Sequence, residues 1–287
     1  MPAKLKLFIL NLFSKLRRLI LGKYAVSVTY KTENGLIAIP VEDFTIGRKL
    51  GFQGRWDWDE IQYLSGLLSK DDVVCIIGTH VGTLLIPLAG RVKEVIGFEA
   101  NPQTFSYLNY NLFLNQVSNH RVFNFAAGNS WGRLKFLQNK VNSGGSKIMP
   151  KVADYAFTYD NPDVTEVDVV PLDEFSEKHA LPAARMIIMD IEGSEYFALQ
   201  GMPKSLEACH YLYIEFEPHH LILVANCTAD EFFGLFIQQF SQVMFFRSRK
   251  TFDLKKEKDL FNQLIESMFR DNISDDLLFS KVLPGTM

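Results

Sequence analysis

The stretch VVCIIGTHVGTLL, Val73 to Leu85, constrains the fold more than any other. An apolar run ends in Gly78, Gly82 follows within the turn, and a second apolar run begins directly after it. A short apolar run, a glycine turn and a helix start together predict a buried strand feeding a helix. The same alternation returns along the chain. EVIGFE ends at Glu99, RVFNFAA ends near Ala127, RMIIMD ends at Asp190 and HYLYIEFE ends near Glu217. QVMFFRS and DLLFSKVLP read as the last strands, separated by a charged helix around residues 255–269. Apolar strands separated by helices predict an α/β fold with a mostly parallel sheet covered on both faces.

Local signals sharpen this outline. Asn34-Gly35, between two alternating segments, predicts a hairpin. Asn101 and Pro102 supply an N-cap and an N1 proline for the helix after Glu99. Asp57 with Glu60, and Thr228 with Glu231, have the spacing of capping boxes. Residues 138–163 are polar and glycine-bearing, an insertion or lid rather than a core element. The 287 residues divide into a basic helix (1–23), a hairpin region packed on the main domain (24–55) and the main domain (56–287).

Charge is uneven. Residues 1–23 carry six Lys/Arg and no acid, leaving 24 basic against 33 acidic residues in the remainder. An acidic body speaks against a nucleic-acid substrate held by its phosphates. In the basic start, Leu5, Phe8, Ile9, Leu12, Leu16 and Leu19 recur at helical spacing. Two readings follow: an extra helix packed on the domain, or a helix lying on an anionic membrane face. The protein is expected in the cytoplasm, and the second reading would place it peripherally on the cytoplasmic membrane face. Three cysteines, Cys75, Cys209 and Cys227, have no metal-like spacing and suit a reducing compartment.

In open α/β sheets ligands bind beyond the carboxyl ends of the strands. Those ends collect Gly78, Thr79, His80 and Gly82; Glu99 and Asn101; Ala126, Ala127 and Ser130; Asp190, Glu192 and Glu195; and Glu215, Glu217, His219 and His220. The two glycines allow close backbone approach and present N–H groups. Glu99 stands 21 residues after Gly78, where a carboxylate can accept hydrogen bonds from ribose hydroxyls.

From about Trp56 to His220 the chain resembles the FkbM-type family of S-adenosylmethionine-dependent methyltransferases. The resemblance lies in VVCIIGTHVG, VIGFEANPQTFSYLNYNLFLN, FNFAAGNSWGRLKF, VDVVPLDEF and, most specifically, MDIEGSE within MIIMDIEGSEYFALQGM. It implies a class I, Rossmann-like methyltransferase sheet, usually of seven strands. It also implies that Gly78 and Gly82 meet the methionine part of S-adenosylmethionine, Glu99 the ribose, and residues 126–130 the adenine. The expected reaction is methyl transfer to a hydroxyl of a sugar, glycolipid or secondary metabolite. The acceptor is thus a small molecule or glycan, lipid-linked if the basic helix meets a membrane.

Asp190 and Glu192 are candidates to orient or deprotonate the acceptor, with His219 and His220 as further bases. Glu195 reads as an exposed first-turn acid favoured by the helix dipole. Trp56, Trp58 and Trp131 are candidates for lining an acceptor pocket. A divalent metal is compatible with these residues, but no ligand spacing demands one. Family members usually carry Asp at the position of Ile76 and Asn at that of His80. Ile76 removes a carboxylate near the turn, and a protonated His80 would disfavour a sulfonium. Those departures leave open a methyltransferase-like binding module without activity. A nicotinamide-dependent dehydrogenase would share the turn and Glu99, but His80 stands where G-x-G needs its second glycine.

Overall fold

The computed structural model describes residues 3–281. Helix α1 (Ala3–Leu21) precedes a hairpin of β1 (Ser27–Thr32) and β2 (Gly35–Pro40), closed at Asn34-Gly35 with Gly35 at φ 110°. Helices α2 (Phe44–Gln53) and α3 (Trp58–Gly66) follow. The sequence reading passes over α2, because Gly47 and Gly51 lower its intrinsic helicity. Both glycines sit tightly against Tyr30, and Gly47 also against Arg17, so the helix presses on the hairpin and α1 where a side chain would hold it off. The expected capping box at α3 does not form. Asp57 is left-handed, with φ 43°, and its carboxylate bonds Lys49 Nζ at 2.7 Å instead of the helix N-terminus.

The main sheet starts with β3 (Val73–Ile77), β4 (Glu94–Phe98) and β5 (His120–Phe123). Helices α4 (Leu85–Ala89) and α5 (Pro102–Leu114) connect them. Along β3, Val73 and Ile77 enter one core and Val74 and Ile76 the other, so the strand is apolar throughout. Asn101 caps α5 as its sequence predicts, accepting the Gln103 and Thr104 N–H groups.

The predicted third strand breaks in two. Asn124 turns its amide onto the Glu99 and Ala100 carbonyls, and the chain then leaves the sheet. Residues Ala126–Gly128 form β6, which joins β7 (Gly132–Gln138), β8 (Lys147–Ile148) and β9 (Asp163–Pro171) in a separate sheet of order β6-β9-β7-β8. The 138–163 segment therefore carries β8 and a one-turn helix, α6 (Tyr155–Thr158), rather than being wholly irregular.

The chain returns to the main sheet with β10 (Met186–Met189), β11 (Tyr211–Phe216), β12 (Gln242–Phe245), β13 (Thr251–Asp253) and β14 (Asp275–Ser280). The order is β13-β12-β14-β11-β10-β3-β4-β5, parallel from β11 to β5 and antiparallel from β11 to β13. This is eight strands instead of the seven implied by the resemblance; the short β13, beside the turn after β12, is the addition. The charged helix between the last strands spans Lys258–Asp271, and Thr228 and Glu231 form their capping box. Residues 282–284 of the last predicted strand lie outside the described residues.

Two cores flank the sheet, one rich in phenylalanine under the later helices, the other beneath the hairpin and α2–α5. Fully buried Asn111 on α5 ties the second together. Its Nδ2 donates to the Ala38 and Val81 carbonyls, and its Oδ1 accepts the Ala38 N–H, all within 2.9 Å. Replacing Asn111 by leucine leaves three buried backbone groups unpaired. We expect a loss of about 2–4 kcal/mol in urea unfolding, whereas Asn109→Leu on the exposed face should change stability little.

Candidate active site

The strand order reverses between β3 and β10, because the chain runs outward through β4 and β5 before returning. Beyond the carboxyl ends of these strands lies an open cleft lined from both sides of the turn by Glu99 and Asp190. Gly78 lets its walls meet: at φ 89°, a side-chain Cβ would fall 1.9 Å from the Asp190 carbonyl oxygen.

The turn itself is saturated. Gly78 and Thr79 both donate their N–H groups to the Phe98 carbonyl, and His80 donates its N–H to Glu99 Oε2 at 2.8 Å. The N–H groups expected to face a ligand at residues 78–80 are thus used to build the turn. A dinucleotide pyrophosphate would need them free.

Glu99 is buried at the cleft wall, Oε2 held by His80 N–H and Oε1 by Asn101 N–H at 2.8 Å. Burial raises its pKa to about 7, against the lowering effect of these two bonds. Each oxygen keeps lone-pair capacity toward the cleft.

The departures at Ile76 and His80 take different forms. Ile76 packs into the core below α4, while its neighbour Ile77 lines the cleft. His80 is left-handed, with φ 50°, and its Nε2 lies 2.7 Å from Ser143 Oγ. Burial pushes its pKa down to about 4, so at neutral pH it places no positive charge beside a sulfonium.

Opposite stands an acidic cluster. Asp190 lines the cleft and is solvent-accessible there. Its carboxyl pKa is raised well above the usual range, first by desolvation and then by the Glu192 charge. Asp190 and Glu215 hydrogen-bond to each other, and both carboxyl pKa values are raised, so the pair titrates as a unit. Glu192 also lines the cleft but belongs to an ion-pair network: Lys147 Nζ lies 2.8 Å and His220 Nδ1 2.9 Å from its Oε2. Despite burial, these partners bring its pKa down to about 2. Oxygens of Asp190, Glu192 and Glu215 stand within 4.8 Å of one another, but Lys147 already balances the Glu192 charge.

Not every predicted site residue reaches the cleft. Gly78, His80, Glu99, Ala126, Ala127, Asp190 and Glu192 line it. Thr79 and Gly82 shape the turn from behind, and Asn101 serves Glu99 and the α5 cap. Ser130 lines a neighbouring hollow with Asn129. His219 faces Asp154 at 3.7 Å, and His220 reaches the cleft only through Glu192. Glu195 is buried, not exposed, because its carboxylate accepts the Ile191 N–H. Of the three tryptophans, Trp56 lines the cleft, Trp58 a surface recess, and Trp131 bonds Glu174 outside it.

Residues without a distinctive sequence pattern also build the site. Ser143, Gly144, Ser146 and Ile148 bring the 138–163 segment over the cleft as a wall. Buried Asp43 fixes that wall, accepting both the N–H and the hydroxyl of Ser143. Lys147 sits in a polar, glycine-bearing run with no pattern to mark it. Ser194, within the MDIEGSE segment, lines the cleft with a buried hydroxyl that has no partner among the described residues.

A parallel sheet with an antiparallel strand inserted beside β11 and a ribose-type acid after its second strand fits the class I methyltransferase arrangement. Residues 77–252, more than half of the chain, match the Methyltransferase FkbM domain, and the chain belongs to this family of S-adenosylmethionine-dependent methyltransferases. No curated protein matches the chain significantly. Among solved structures it is similar to the FkbM methyltransferase of Methylobacillus flagellatus KT, at 18% identity and TM-score 0.42, over 78% of this chain and 48% of that one. It is also similar to the M. jannaschii tRNA m1G37 methyltransferase, at 12% identity and TM-score 0.43, over 91% of this chain and 59% of that one. A third is M. jannaschii TYW2 in complex with AdoMet, at 11% identity and TM-score 0.42, over 90% and 87%. The chain spans about half the length of the FkbM structure it matches. At these identities the likeness carries no functional assignment.

Proposed function

We propose that the chain transfers a methyl group from S-adenosylmethionine to a hydroxyl of a sugar-containing or related small-molecule acceptor. The observation that carries this reading is the shared cleft: Glu99 and Asp190 open into it from strand ends on either side of the Gly78 turn. The residues present fit the donor. Glu99 can accept the ribose hydroxyls, Phe125, Ala126 and Phe136 offer an apolar slot for a flat base, and Ser194 has a hydroxyl to spare. When bound, the donor supplies an electrophilic methyl on sulfur.

The chain's own part is alignment and proton removal. Asp190, paired with Glu215, is placed to accept a proton from an acceptor hydroxyl. Its raised pKa makes the ionised carboxylate a stronger base than an ordinary aspartate. The Lys147–Glu192–His220 network fixes the wall beside it. Trp56 and Ile46 add an apolar edge, suited to the flat face of a sugar ring.

Calorimetry with S-adenosylmethionine, S-adenosylhomocysteine and NAD, followed by a screen of hydroxylated acceptors with labelled donor, tests the reading. Binding of the first two and label on an acceptor oxygen are expected. NAD binding alone, or no binding, would overturn it.

A further inference from the structure

The orientation of α1 is the reverse of what an amphipathic helix on a folded domain ordinarily adopts. Asn11, Ser14 and Arg17 face the protein. Ser14 is buried and donates its hydroxyl to the Glu42 carbonyl at 2.6 Å. Asn11 bonds the Tyr159 carbonyl at 3.0 Å, and Arg17 bonds the Asp43 carbonyl at 2.9 Å and the Tyr30 hydroxyl at 2.8 Å. Most of the stripe points outward: Phe8 is 60% exposed and Leu19 78%, Leu5, Leu12 and Leu16 are exposed as well, and Ile9 is half-buried. Ile20, Leu21, Tyr24 and Val26 extend this apolar surface beyond the helix end. Patches of this extent on a soluble protein mark a contact surface.

We propose that this face of α1 docks on an anionic lipid bilayer, the helix lying in the interface plane. The charge distribution selects that partner over another protein surface. At 100° per residue, Lys4 and Lys15 border one edge of the stripe and Lys6 the other, and Lys23 follows the helix. No acidic residue occurs before Glu33, although the rest of the chain is net acidic. Apolar residues bordered by lysines match the layering of acyl chains beneath anionic headgroups. Among the described residues no helix is long and apolar enough to cross a membrane, so α1 lies on the surface rather than spanning it. The polar inward bonds hold it as a fixed foot on the domain.

Flotation of the full chain with phosphatidylcholine vesicles, with and without roughly 30% phosphatidylglycerol, tests this without any methyl donor. The wild type should float with the anionic vesicles, at least about tenfold more than with neutral ones, and lose binding in high salt. Leu12→Glu with Leu19→Glu should lower partitioning by at least about 100-fold. Lys6→Ala and Lys15→Ala should each lower it roughly fivefold. All these side chains are exposed, so thermal melting should show the fold intact. Three results would overturn the proposal: no partitioning of the wild type, partitioning unchanged by the leucine substitutions, or a dimer that those substitutions dissociate, which would make a second copy the occupant.

Discussion

Asp190→Asn is expected to lower kcat by about 10²–10⁴-fold, while donor affinity measured by calorimetry changes less than roughly threefold. The asparagine keeps the shape of the side chain beside Gly78 but cannot take a proton. The wild-type rate should rise with pH, since the base must be ionised, along a limb displaced above the ordinary aspartate range. The displacement comes mainly from desolvation and secondly from the Glu192 charge. Removing that charge should therefore move the limb to lower pH. Glu192→Gln is best combined with Lys147→Met, because Glu192 is the buried ammonium's partner at 2.8 Å. The limb belongs to the Asp190–Glu215 pair as a unit, not to either carboxyl alone. Full turnover by Asp190→Asn at every pH would remove proton abstraction from this carboxylate.

Much of the scaffold behind that pair was legible because its physics is local or periodic. β3, β4, β10 and β11 are buried on both faces, so they read as continuous apolar runs bounded by polar residues. The Asn101-Pro102 cap and the Thr228–Glu231 box satisfy backbone groups a few residues away. Where the deciding partner is distant, the pattern falls silent or misleads. Asp57 has capping-box spacing, but Lys49 on the preceding helix takes its carboxylate. β7 exposes its first residues, and β8 has only two residues, so the second sheet carries little periodicity. Glu195 looks like a surface acid until the Ile191 N–H claims it. The α1 stripe shows how far periodicity goes: it fixes which residues share a face, but carbonyls of Glu42, Asp43 and Tyr159 decide which face turns inward. Lys147 meets Glu192 across 45 residues of chain, and nothing near it in sequence announces the pair.

Glu99→Gln should weaken donor binding by about 10–100-fold, the cost of losing hydrogen bonds to a charged acceptor. The substitution is nearly isosteric, so the fold should survive. It also brings an amide N–H toward backbone N–H groups of His80 or Asn101 that now donate to the carboxylate. The pH dependence separates this role from a purely structural one. In the free protein burial raises the Glu99 pKa from 4.5 to about 7. Below about pH 4.5 the group is protonated in both folded and unfolded chains and costs nothing. As pH rises toward 7 the unfolded chain ionises first, and the folded state loses up to about 3 kcal/mol relative to it. Ribose hydroxyls donating to the carboxylate favour its ionised form, so binding near pH 6 should expel a proton. Donor affinity should then strengthen as pH rises, levelling off above about 7. Calorimetry in buffers of different ionisation enthalpy reads that proton directly, and Glu99→Gln should abolish it. Equal affinity and equal proton release in the two proteins would show that the donor's sugar lies elsewhere, and the assignment of this cleft would fall with it.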